Sequence, residues 1–136
     1  MQNLIALSLA ACAMSLANFA FGDNINISSD IVEFNKSSNS ISFTNNVRID
    51  SEYINVLANQ AVLDNDKDTI SVYGNPSLIS SNNPNNLFKG QAKKIIIFTD
   101  EKIHLIGEAS MNYENINISS NKILFNPQTG SLSSQE

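Results

Sequence analysis

The sequence predicts an all-β chain of meandering antiparallel strands, and three observations predict it: an internal repeat, strictly alternating apolar residues, and turn-forming residues between the runs. Residues 25–35 return as residues 116–126, with the opening Ile-Asn-Ile-Ser-Ser and the closing Phe-Asn unchanged. Looser copies begin at Ile54 and Lys89. Four copies of roughly 30 residues fill the chain beyond its first two dozen residues.

Each copy has two halves, so the chain is built from about four repeated two-strand units. The second half reads as residues 41–49 in the first copy, 70–78 in the second and 103–111 in the third, and the fourth stops early after Gly130. In each complete half, alternating apolar residues meet a Gly/Asn-rich pair and then alternate again in the same phase. Ile41, Phe43, Val47 and Ile49 share one parity, as do Ile103, Leu105, Ala109 and Met111. On an extended strand each set lies on one face.

Strand is favoured over helix because Ile, Val, Thr, Phe and Tyr hold the alternating positions, and these side chains suit a pleated surface. Ala and Leu, the better helix formers, are sparse beyond residue 22. Residues 36–39, 64–68, 99–102 and 126–130 carry the Ser, Asn, Asp, Pro and Gly of turns. Residues 80–86 read as a long hairpin loop or a break between two sheet halves, not a domain boundary.

Residues 1–22 differ from the rest. The stretch from Leu4 to Phe21 holds no charge, is rich in Ala and Leu, and leads to small Ala20 and Gly22 before Asp23. This predicts a secretory signal peptide over 1–22, cleaved after Gly22, and one domain over 23–136. Two rival readings of the segment are a retained membrane anchor, for which Ser8, Ser15 and Asn18 interrupt the apolar run, and lipidation at Cys12 within Leu9-Ala-Ala-Cys12. Cleavage removes the only cysteine, leaving a domain that must be held by its β-core alone.

The net charge of −5 lies entirely beyond residue 22. An acidic domain with scattered lysines makes a poor nucleic-acid binder, because phosphate neutralisation needs a basic surface. Catalytic constellations are not evident. The sole histidine, His104, is placed on the polar face of a strand with no partner serine motif. Residues 64–68 are acidic, but a calcium loop of the hand type would need Gly and Glu where Thr69 and Asn75 stand. No cofactor, metal site or enzyme activity is expected. With one repeat starting directly after the leader and the last truncated, both ends of the sheet are expected to present unpaired edges, and the edge at residues 25–28 has no Pro or Lys to guard it.

The motifs at Ile25 to Asp30, Phe43 to Val47, Gly74-Asn75-Pro76, Gly90-Gln91-Ala92 and Leu105 to Ala109 follow one another over the whole of 23–136. In that order and spacing the chain resembles the OstA-like family of the periplasmic lipopolysaccharide-transport protein A. The resemblance implies a twisted, partly open antiparallel β-jellyroll with an apolar groove. It implies a periplasmic carrier for Gram-negative outer-membrane assembly that shields lipid A acyl chains. It also implies a bridge of copies joined head to tail by strand-edge pairing, between an inner-membrane transporter's anchor protein and an outer-membrane translocon. Carried onto this sequence, it places Ile25, Ile27, Val47, Ile79 and Ile97 in the groove. Strand parity adds Phe43, Ile54, Val56 and Ile95. Under the same resemblance, Lys89, Lys93 and Lys94 are the lysines that head-group phosphates would meet. Two other functions fit the same residues: a strand-pairing structural protein without lipid cargo, and the membrane-anchored partner of the same pathway.

Overall fold

The computed structural model describes residues 4–15, 25–82, 84–85, 87–100 and 102–135. Among them nine strands follow in chain order: β1 (Leu4–Ser15), β2 (Asn26–Asn35), β3 (Ser40–Asp50), β4 (Ile54–Asp64), β5 (Thr69–Ser81), β6 (Phe88–Phe98), β7 (Ile103–Tyr113), β8 (Ile116–Phe125) and β9 (Leu132–Gln135). All nine belong to one sheet whose spatial order is the chain order, each strand hydrogen-bonded to the next. The first and last strands do not meet, so the fold is an open antiparallel β-jellyroll, as expected.

Turn chemistry joins the strands where the sequence places it. In the β4–β5 turn the Asp64 carboxylate accepts the backbone N–H groups of Asp66 and Lys67, at 2.9 and 3.0 Å. Glu114 and Asn115, between β7 and β8, both have positive φ, 48° and 69°. Two such residues match the twist of a tight hairpin.

The edges differ from the expectation. β1, which falls within the segment read as a leader, pairs with β2 from Leu4 opposite Asn35 to Ser15 opposite Asn26. The β2 edge therefore has its backbone groups occupied in this structure. The expected cleavage position after Gly22 lies outside the described residues. At the other end β9 covers only part of β8, from Lys122 to Phe125, so residues 116–119 of β8 have no outer partner strand among the described residues.

A crease runs across the sheet. From β2–β3 to β7–β8 every ladder shifts register near mid-strand, at Ser28/Ile31, Thr44/Val47, Leu57/Gln60, Tyr73/Ser77, Gln91/Lys94 and Ile106/Ala109. Such irregularities bend a strand, and aligned on neighbouring strands they bend the whole sheet. The residues at the crease suit it: Asn45 and Asn46 have φ of 66° and 53°, Gly107 of 86°. This left-handed region is strained for most side chains but accessible to Gly and Asn.

The crease divides the sheet into two leaves. The first holds residues 47–50, 54–57, 77–81, 88–91, 109–113 and 116–119; the second holds 40–44, 60–64, 69–73, 94–98, 103–106 and 122–125. A lone sheet can bury one face only by folding that face onto itself, and here the leaves enclose one continuous apolar core. Gly90 of the first leaf backs onto Leu105 of the second, where an added Cβ would come 2.9 Å from Leu105 Cδ2. At the margin opposite the crease, the Phe88 and Phe125 rings meet edge-on with centroids 4.7 Å apart, and Tyr113 adds a second edge contact to Phe125 at 5.5 Å.

One phase expectation is corrected. The sequence pattern keeps Leu78 in phase with Ile70 and Val72, but the irregularity between Tyr73 and Ser77 turns Ser77 and Ile79 inward and Leu78 out. Ser77 Oγ is thereby buried, with no hydrogen-bond partner among the described residues.

Candidate functional site

The nine apolar residues singled out from sequence all reach the space between the leaves. Ile27, Phe43, Val56 and Ile95 are wholly buried, and Ile25, Val47, Ile54, Ile79 and Ile97 nearly so. They come from β2, β3, β4, β5 and β6 and the residue preceding β2, and all belong to the same core cluster. Along the free margin Ile25, Tyr53 and Ile54 of one leaf and Ile97 of the other line a cleft of about 30 Å³, roughly the share of one water molecule in the liquid.

The three lysines do not converge. Lys93 lies 3.8 Å from Glu108 across the crease. Lys94, on the second leaf, stands 5.5 Å over the Tyr73 ring. Lys89, on the first leaf, lines a separate and larger depression.

That depression, a trough of about 650 Å³, lies on the solvent side of the first leaf and crosses six strands from β3 to β8. Two cross-strand rows build it. In one, Arg48 stands opposite Leu57, Leu57 opposite Leu78, and Leu78 opposite Gln91. In the other, Asn55 pairs with Ser80, Ser80 with Lys89, and Lys89 with Asn112. Leu57 and Leu78 are 46% and 44% exposed, an unusual burden for a sheet's outer face. A neighbouring depression of about 470 Å³, bounded by Ser28 and Asp30, shares Arg48 and Leu57 with it.

Sequence reasoning missed this trough. The signal was present in the doublets Val56-Leu57 and Leu78-Ile79, where alternation fails and an apolar residue must face outward.

His104 sits on the outer face of the second leaf, as its parity predicts, but it is half-buried. Its ring lies 4.6 Å from that of Phe98. Burial lowers its pKa below the usual imidazole value, and the nearby Lys122 charge lowers it further. Among the described residues no three His, Cys, Asp or Glu groups come together as a metal site. No described helix is long and apolar enough to cross a membrane.

These features make a one-sheet, two-leaved β-jellyroll with an apolar interior and, among the described residues, a partly bare strand edge. The chain belongs to the family described as LptA/(LptD N-terminal domain) LPS transport protein, which matches residues 26–131. The OstA-like resemblance is thus established. In fold it is similar to LptH of Pseudomonas aeruginosa, described as the LptA-homologous periplasmic component of the conserved lipopolysaccharide transport device. The TM-score is 0.69, over 99% of this chain and 83% of that one, at 14% identity. At that identity the likeness speaks for the fold. No curated protein sequence matches this chain significantly.

Proposed function

We propose that this protein is a periplasmic carrier of lipopolysaccharide that shields lipid A acyl chains between its two leaves. Membership in a lipopolysaccharide-transport family over residues 26–131 carries the reading. The physics of the interior supports it. Among the described residues the core between the leaves is apolar except for Ser29 and Ser77. Burial of acyl chains is non-directional and yields about 0.8 kcal/mol per methylene, so binding needs apolar area and no catalytic group.

Uptake requires the leaves to part, because the marginal cleft of about 30 Å³ is far too small for an acyl chain. Side-chain packing around Phe88, Tyr113 and Phe125 holds that margin closed. Residues 1–22 act as the cleaved export signal, and with β1 gone the β2 edge becomes available for pairing. Copies then join head to tail, β2 of one against the bare residues 116–119 of another, in a bridge between an inner-membrane anchor protein and an outer-membrane translocon.

Native mass spectrometry of the exported protein with lipopolysaccharide tests the reading. Lipid adducts on the folded protein are the expected result. A concentration-dependent ladder of oligomers without bound lipid would favour the purely structural role instead. A mature N-terminus at Met1 would favour the membrane-anchored partner.

A further inference from the structure

We propose that the trough on the outer face of the first leaf is a binding surface for an anionic, phosphate-bearing oligosaccharide. The chemistry of its lining selects this class. Two cations, Arg48 and Lys89, line it and no carboxylate does, in a chain of net charge −5. Lys89 forms no ion pair among the described residues. The closest contact of Arg48 with Asp50 is through Nε at 3.7 Å, on the exposed surface. Such a contact is weak, and it leaves the terminal nitrogens of the guanidinium for an oxyanion.

The remaining polar groups are neutral. Ser80, Gln91 and Ser110 offer hydroxyls and an amide that both donate and accept, as sugar hydroxyls do. Between them the exposed Leu57–Leu78 pair provides an apolar platform for the C–H face of a pyranose ring. An acyl chain laid here would desolvate the cations and amides without replacing their hydrogen bonds, at a net cost. A peptide strand would be read by an unpaired backbone edge, and a sheet face offers none. Nucleic acid needs many more than two cations.

The direction of the trough fits a linear ligand. It crosses the strands rather than following them, and six strands at about 4.8 Å spacing give it a length of roughly 24 Å, room for several sugar units. Its far end is formed by Asn117, Ile118 and Ser119 of β8, within the half-strand that β9 leaves bare. Resting on the carrier reading above, the acyl chains of the cargo lie between the leaves and its saccharide chain lies along the outer face.

The test is an amide chemical-shift titration of the exported protein with fully deacylated, phosphorylated oligosaccharide prepared from lipopolysaccharide. The same sugar after phosphatase treatment is the comparison. Shifts should centre on Leu57, Leu78 and Gln91, and both phosphatase treatment and the double variant Arg48→Gln/Lys89→Gln should weaken binding by about tenfold or more. Both positions are exposed, so the variant keeps its fold, checked by an unchanged melting temperature. Absence of shifts in the trough, or an affinity unmoved by the double variant, would overturn the proposal. Binding of intact lipopolysaccharide is measured alongside. If the intact molecule binds and the free saccharide does not, the trough proposal alone fails; if neither binds, the carrier reading falls with it.

Discussion

Gly90 on the first leaf faces Leu105 on the second so closely that a Cβ at position 90 would lie 2.9 Å from Leu105 Cδ2 and 3.1 Å from Ile79 Cγ2. The two leaves meet here with no room for one more carbon. Gly90→Val should therefore wedge them apart and destabilise the domain by about 1–3 kcal/mol, the usual cost of overpacking. Chemical denaturation measures the loss. An unchanged midpoint would mean that the leaves are not packed at this point.

The margin opposite the crease is closed by Phe125, whose ring touches both Phe88 and Tyr113. Phe125→Leu keeps an apolar side chain but removes two edge contacts, each contributing about 0.5–1.5 kcal/mol beyond area burial. Stability should fall by about 1–3 kcal/mol on the same scale. If the margin is the entry for acyl chains, a fluorescent fatty-acyl probe should also be taken up faster. Lower stability with unchanged uptake would place the entry elsewhere.

The lowered pKa of His104 makes a prediction with a definite sign. Burial and the neighbouring Lys122 favour the neutral ring in the folded state. The unfolded chain binds the proton more readily, so this group's contribution to stability is complete above the ordinary value of 6.5 and is lost as pH falls through and below it. Melting curves at pH 7.5 and pH 5 should show a smaller drop for His104→Gln than for the natural protein. Equal drops would assign the whole effect to carboxylates.

Neither residue of the β7–β8 turn is glycine, although both have positive φ, at Glu114 and Asn115. Converting the pair to Asn-Gly, the sequence this turn prefers, should stabilise the hairpin by about 1 kcal/mol, seen as a higher melting temperature. A lower one would mean that the Glu114 side chain contributes more than its backbone costs.

Strand positions and the inward phase of most apolar residues were legible in the sequence because strand periodicity is local. The crease was half legible. The Gly/Asn pairs that interrupt each run, Asn45-Asn46 and Gly107-Glu108 among them, stand in the sequence. Their alignment across neighbouring strands is a property of register, which no single repeat encodes. The repeat itself shows how context decides burial: Ile25 and Ile116 open identical five-residue runs, yet Ile25 is buried and Ile116 is 60% exposed. β2 has neighbours along its length on both sides, whereas the start of β8 has one only on its β7 side. Similarly, the phase reversal in β5 that turns Leu78 outward goes with register shifts against both β4 and β6, so the trough was legible only as broken alternation.

The central claim is that acyl chains travel between the leaves, and site-specific photo-cross-linking tests it most directly. A photoreactive phenylalanine at Phe43, wholly buried between the leaves, is compared with one at Tyr73, exposed on the outer face of the second leaf, during incubation with lipopolysaccharide. The account predicts a lipid adduct at position 43 and none at 73. An adduct at 73 with position 43 silent would place the lipid outside the sheet and contradict it.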